Sequence, residues 1–318
     1  MRKESRLWGC AVGAAIGDAL GMPLEFGPPQ PVERLVREMQ PGVLPAGTFT
    51  DDTEMAVALA ESLLARWPLD PADLAERFVA WYKAGPPDVG IQTGQVLGRV
   101  ARGEVWSAAV GAVQAGRPDA AGNGSVMRCW PVALAHWDDL PALLADSRLQ
   151  SSVTHPHPDC VAGSALVNAT IYFLFHDATP WEAVTQALDA VCDLSPGLKQ
   201  VIEAAPSLSR PELKNSGWVR HTVESAIWGL LTTHSFEEAV VRVVNLGNDA
   251  DTAGAVVGAL AGAAYGLEAI PRRWREALRG ELPWRRGRMW RAEDLVELAI
   301  QLAGRAKADG QADGEANG

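Results

Sequence analysis

Two remote stretches of this chain each set carboxylates beside a threonine. One is Thr50-Asp51-Asp52, within GTFTDDTEMAVAL, and the other is Asp249-x-Asp251-Thr252, within LGNDADTAGAVVGAL. Each supplies three side-chain oxygen groups where a helix is predicted to begin. Capping a helix needs only one such oxygen, and acidic groups in a first turn also complement the helix dipole. Asp51 with Glu54 has the spacing of a capping box, although the strict form begins with Ser or Thr. Capping accounts for either cluster alone; the repetition asks for more. If the clusters converge, four carboxylates repel one another unless cations lie between them. Oxygen-only ligand sets suit hard ions such as Mg2+ or Mn2+ rather than zinc, and two divalent ions would neutralise four carboxylates. Both clusters run into helices rich in Ala and Gly, whose slim surfaces let helix ends approach.

A third stretch, DAAGNGSVMRCWPVAL, sets Gly122-Asn123-Gly124-Ser125 ahead of an apolar helix. Glycines allow close backbone approach, and N–H groups at a helix start hold phosphate; G-N-G is also an ordinary turn. In SSVTHPHPDCVAGSAL, His155 and His157 flank Pro156 before another helix, as ligands or as caps.

The elements that must position these groups are helical. Apolar residues recur at helical spacing over about 7–20, 53–66, 71–83, 93–101, 142–151, 159–175, 180–192, 217–232, 236–246, 251–265 and 292–306. Pro68, Pro71, Pro180 and Pro271 fall at joints or first turns, where a missing N–H is tolerated. No alternating tract is long enough to argue for a sheet, and neither a repeat nor a linker divides the chain. The expectation is one all-α domain over 1–306. The tail AKADGQADGEANG is small, polar and Gly-rich, which predicts disorder over 307–318.

Composition bounds the partners. The chain has 318 residues, 47% hydrophobic, and a formal charge of −11, so a general nucleic-acid surface is not expected. Arginine and tryptophan concentrate in PRRWREALRGELPWRRGRMWRAEDL, which reads as a solvated face with stems lying over indoles. Cys10, Cys129, Cys160 and Cys192 form no C-x-x-C pair and read as buried thiols of a reducing compartment. No apolar run approaches the ~20 residues of a membrane span. The start, MRKESRLWGCAVGAAIGDALG, imitates a signal peptide, but Asp18 interrupts the apolar stretch. The expected location is the cytoplasm, without a membrane partner.

With these stretches side by side, the chain resembles the ADP-ribosylglycohydrolase family, above all the bacterial dinitrogenase reductase-activating glycohydrolases. The matching elements run in family order: GAAIGDALGMPLEF, FTDDTEMAVAL, GPPDVGIQTG, GNGSVMR, VTHPHP and NLGNDADTAGAVVGALAGAAYG. They span residues 9 to about 271. The resemblance implies a single compact, many-helix domain with a dinuclear metal cleft, and removal of ADP-ribose from modified side chains. It implies that Thr50, Asp51, Asp52, Asp249, Asp251 and Thr252 ligate two Mg2+ or Mn2+ ions. Glu25 falls on the family's glutamate near the metals, and Asp88 on an aspartate acting on the ribose. Asn123, Gly124, Ser125, Met127 and His155 fall on the loops that embrace ADP-ribose, while Gly122 and Arg128 match positions of a structural kind. Two departures stand out. Ile91 replaces a polar asparagine three residues after the aspartate, and Asn248 replaces a glycine just before D-A-D-T.

The expected reaction is hydrolysis of the N-glycosidic bond from mono-ADP-ribose to a protein arginine, releasing ADP-ribose. Serine O-linked or nucleic-acid-linked ADP-ribose, and a non-catalytic ADP-ribose-binding relative, are the alternatives. A helical phosphohydrolase is the rival class, because His176-Asp177 forms an H-D pair. That pair follows the apolar IYFLF as at an ordinary helix end, and such enzymes need further histidine ligands.

Overall fold

The computed structural model describes residues 2–315, with side chains described to residue 305. Fifteen α-helices follow one another among the described residues: α1 (Lys3–Gly21), α2 (Asp51–Ala65), α3 (Pro71–Lys83), α4 (Ile91–Val100), α5 (Trp106–Gly116), α6 (Trp130–Ala135), α7 (Leu140–Ser152), α8 (Pro158–Phe175), α9 (Pro180–Ala190), α10 (Pro196–Ala204), α11 (Val219–Leu231), α12 (Phe236–Val244), α13 (Ala250–Tyr265), α14 (Arg272–Ala277) and α15 (Ala292–Glu315). A two-residue antiparallel pair joins β1 (Gly280–Glu281) to β2 (Met289–Trp290), with Gly280 opposite Trp290. The sequence pattern predicts neither this pair nor α5, α10 and α14, while the apolar helix expected after the G-N-G loop is the short α6. The helices α6 and α14 have six residues each, too few for a 3.6 period to repeat. Both α5 and α10 bury only two side chains apiece: Ala109 with Val110, and Leu198 with Ile202.

At the centre lie α1 and α13, antiparallel and in backbone contact. A Cβ placed on Gly9 would lie 2.4 Å from the Gly262 carbonyl oxygen, one on Gly13 2.3 Å from that of Gly258, and one on Gly17 1.8 Å from that of Gly254. The row ends with Gly21, whose added Cβ would lie 2.3 Å from the Ala250 oxygen. Glycine every fourth residue draws one bare stripe down each helix face, and the two stripes meet. Every residue from Gly9 to Gly21 and from Ala250 to Ala264 is buried, as expected of helices apolar on all sides. Around this pair pack α2, α8, α11, α12 and α15, completing one continuous core.

Several expectations change here. Two helices do reach the length and mean hydropathy of a membrane span, Lys3–Leu24 and Pro158–Phe175. They are 89% and 78% buried inside the protein, so other helices already cover their apolar surface. Cys10, Cys129 and Cys160 are buried, but Cys192 is exposed just beyond α9. In the Arg/Trp-rich stretch, Arg273 pairs with Glu38 and Glu237, Arg285 with Glu61, and Arg288 with Asp294, while Trp274 is fully buried. Those arginines are matched by carboxylates. The backbone of α15 runs on through 307–315, where composition predicts disorder. Residues 316–318 of that predicted tail lie outside the described residues.

The glycine contact makes a thermal test. Gly17→Ala puts a methyl group inside the van der Waals radius of a backbone oxygen and should cost about 3 kcal/mol. Gly111→Ala, on α5 with open space around it, should stabilise by about 0.5–1 kcal/mol. Melting curves in which both variants shift together would refute the contact.

Candidate active and metal site

The first acidic cluster is held from outside its own helix. Thr50 precedes α2 without capping it by its side chain. The capping oxygens come from Asp18, fully buried on α1. Its carboxylate accepts the Thr50 N–H at 2.9 Å, the Thr50 hydroxyl at 2.8 Å, the Thr53 N–H at 3.2 Å and the Thr53 hydroxyl at 2.6 Å. Burial pushes the Asp18 carboxyl up to about 6, against the pull of these four donors. With α2 capped by another element, Asp51 and Asp52 are released from the capping that accounts for such residues locally. Asp249, the N-cap of α13, makes no side-chain cap either. Instead its Oδ2 accepts from Asn123 Nδ2 at 2.7 Å.

The glycine register places the start of α13 beside the end of α1, and the chain leaving α1 brings Glu25 to the same point. Ligand oxygens of Glu25, Asp249 and Asp251 lie within 4.8 Å of one another. Burial pushes Asp251 well up, with Asp52, Asp249 and Glu25 adding to it. Asp52 is raised by burial and then by Asp18, Asp51 and Asp249; Asp51 is raised by burial and then by Asp88. The Glu25 carboxyl rises to about 7 through burial, Asp88 and Asp249. The carboxylates of the two clusters therefore feel one another, which the sequence by itself does not establish.

This arrangement fits hard cations. Its donors are all oxygens, Asp52 Oδ1 is buried without a hydrogen-bond partner, and the Thr50 hydroxyl gives its proton to Asp18, keeping lone pairs free. Among the described residues the metal-competent group contains no histidine. The H-D pair lies elsewhere: His176 bonds the Tyr172 carbonyl at the end of α8, and Asp177 pairs with Arg6. Among the described residues no metal-competent group includes that pair.

Beside the carboxylates opens a cleft of about 910 Å³, lined by Glu25, Asp51, Asp88, Gly122, Asn123, Gly124, Met127, His155, Asp249, Asp251 and Thr252, among others. Its volume suits a ligand of nucleotide size. The G-N-G loop is laced to the metal-competent side: Asn123 spends its amide on Asp249 and on Thr222, and its N–H donates to Gly217. The apolar helix expected straight after it begins only at Trp130, so no helix terminus stands at the loop. The N–H groups of Gly124 and Ser125 nevertheless have no partner among the described residues. Ser125 itself points into the core, its hydroxyl within hydrogen-bond distance of the Ser151 and Ser164 hydroxyls, and the residue is fully buried and absent from the cleft lining. His155 packs under Gly124 and is held neutral, because burial and Arg128 bring it down to about 3. His157 caps α8 through Asp159 N–H and takes no part. Arg128 is fully buried over the Phe78 ring, bonding Gln150 and Thr154 behind the cleft.

Sequence reasoning missed Asp18, and it read Glu54 as a capping partner of Asp51, whereas the Glu54 carboxylate accepts the Trp81 indole N–H. Asp18 was visible as an acid inside an apolar run, but its partners lie 32 and 35 positions away. The two departures also find places. Ile91 is exposed on the cleft wall. Asn248 takes a left-handed φ of 52°, where asparagine is among the best-tolerated residues after glycine.

The sequence profile of the ADP-ribosylglycohydrolase family matches residues 1–312. An ADP-ribosylarginine hydrolase Tri1 from Pseudomonas putida is 33% identical over 93% of this chain and 79% of its own. The ADP-ribosyl-[dinitrogen reductase] glycohydrolase of Rhodospirillum rubrum is 32% identical over 85% of this chain and 89% of its own. A solved structure described as an ADP-ribosylglycohydrolase-related protein complex superposes with a TM-score of 0.78 at 35% identity, covering 96% of this chain and 99% of that one.

The Asp18 anchor is testable apart from any substrate. Asn in its place offers one acceptor oxygen where four donors converge, so Asp18→Asn should cost about 2 kcal/mol or more. It should also weaken Mg2+ or Mn2+ binding at least about tenfold, because α2 loses its tether. Calorimetry giving the parent affinity would show that Asp18 does not position the cluster.

Proposed function

We infer, since the chain belongs to the ADP-ribosylglycohydrolase family, that it is a glycosidic-bond hydrolase removing mono-ADP-ribose from modified arginine. Relatives at 33% and 32% identity are named for that substrate, or for an ADP-ribosylated dinitrogen reductase. The observation that carries the reading is the gathering of Glu25, Asp51, Asp52, Asp249 and Asp251 beside a nucleotide-sized cleft. The substrate is then an ADP-ribosylated protein and the product ADP-ribose.

Thr50, Asp51, Asp52, Asp249, Asp251 and Thr252 would hold two divalent cations, Mg2+ or Mn2+, which supply Lewis-acid orientation of ribose hydroxyls and water. Glu25 stands close enough to Asp249 and Asp251 to share in that coordination. The remaining work falls to this chain's own groups. Cleavage develops oxocarbenium character at the ribose anomeric carbon, and Asp88, which lines the cleft, would stabilise it. The electron pair of the carbon–nitrogen bond leaves with the arginine as a neutral guanidine. Water adds to the sugar, and the proton taken from it by Glu25 returns the guanidine to its cationic form. The N–H of Gly124, on the cleft wall, would receive the diphosphate, and Met127 and neutral His155 close the wall around the ligand.

Two experiments decide this. Incubation with α-linked ADP-ribosyl-arginine and Mg2+ or Mn2+, followed by chromatography, should yield free ADP-ribose. Release only from serine-linked or nucleic-acid-linked substrate would overturn the arginine assignment, and binding without release would make the protein an ADP-ribose-binding relative. The second separates roles: Asp251→Ala should lose metal affinity and turnover together, whereas Asp88→Asn should keep metal affinity and lose turnover about a hundredfold or more. An Asp88→Asn variant working at the parent rate would remove that residue from the mechanism.

A further inference from the structure

A second, smaller cavity of about 210 Å³ adjoins the cleft. Glu25, Phe26, Asp51 and Asp88 line both, so these residues form the threshold between the two spaces. The smaller one is below the ~300 Å³ at which small-molecule sites begin and is of side-chain size. Its far wall is apolar, from Val43, Leu44 and Pro87, and its lining includes no Lys or Arg.

Two of its residues are unexplained by metal or nucleotide binding. Glu54 is only 4% exposed; one carboxylate oxygen accepts the indole N–H of fully buried Trp81 at 2.7 Å, and the other has no partner among the described residues. Phe26 is the opposite case, with 82% of its surface exposed and φ at 58°. A bulky residue keeps a left-handed backbone only where its surroundings impose it, and such positions gather at ligand clamps. Here the Phe26 N–H donates to the Asn248 oxygen at 2.7 Å, and the Asn248 N–H donates to Gly27 at 2.8 Å. This ladder holds the ring at the lip of the smaller cavity.

We propose that the small cavity is the subsite for the arginine side of the substrate, with Phe26 covering the guanidinium face and Glu54 accepting its N–H groups. The inference rests on the arginine reading above and adds what selects that linkage. A planar cation stacks on an aromatic ring and bonds a carboxylate strongly. A serine-linked substrate offers neither plane nor charge. The threshold residues then sit where the two halves of the substrate meet, with ADP-ribose in the larger space and arginine in the smaller.

The test uses Phe26→Ala and Glu54→Gln in the Mg2+-loaded protein, with KM and kcat measured on ADP-ribosyl-arginine and ADP-ribose affinity measured by calorimetry. Phe26 is exposed, so its variant folds, and Gln keeps an oxygen for Trp81. Each variant should raise KM about tenfold, the loss of one charge-assisted contact, while ADP-ribose affinity stays within about twofold. Unchanged KM in both variants overturns the subsite, and so does a parallel loss of ADP-ribose affinity, which would assign the cavity to the nucleotide. A parent protein that cleaves only another linkage overturns the arginine reading itself, and the subsite with it.

Discussion

The site depends on backbone touching backbone between α1 and α13. Helices bearing ordinary side chains stand about 8–10 Å apart and slide past one another at modest cost. Bare stripes interlock instead: each glycine faces a carbonyl too close for any Cβ, so the axial register has little latitude. That register sets Gly21 against Ala250 and brings the end of one helix level with the start of the other. Dispersion over two wholly buried surfaces and short Cα–H···O contacts supply the attraction.

From that pair the acidic groups are hung by short tethers. Glu25 follows α1 directly, Asp249 and Asp251 open α13, and Asp18 reaches sideways from α1 to draw in Thr50 and Thr53 with the start of α2. A fully buried carboxylate without a cationic partner is costly unless donors surround it, and the four Thr50 and Thr53 donors do so. The result gathers carboxylates closely, and burial together with their mutual repulsion raises Asp51, Asp52 and Asp251. Functional sites are where such local conflict is expected, with compensation from packing elsewhere.

An acidic protein that takes an anionic ligand needs positive potential from something other than side chains. The N–H of Gly124, unpartnered among the described residues, is able to provide part of it, and cations among the carboxylates would provide the rest. The arginines of the C-terminal third contribute little, since Arg273, Arg285 and Arg288 are engaged by Glu38, Glu237, Glu61 and Asp294. Neutral His155 likewise adds shape and hydrogen bonding rather than charge.

Read alone, the sequence determined the all-helical class, the long helices and the two oxygen-rich clusters, because helical periodicity and ligand chemistry are local properties. It could not distinguish capping from convergence. Whether Asp51 and Asp52 cap α2 or stand free depends on Asp18, thirty-odd positions away, and only tertiary packing brings those oxygens in. The short helix α14 escaped for a related reason, since one or two turns carry no period and form only against a surface already built. Ser125 turned inward and Cys192 outward because neighbours, not residue type, set their exposure. Asn248 shows the same division: its identity was plain, but its left-handed backbone and its hold on Phe26 exist only once Gly27 lies beside it. Residue type fixes what a group is able to do; the glycine register of α1 and α13 decides which groups meet.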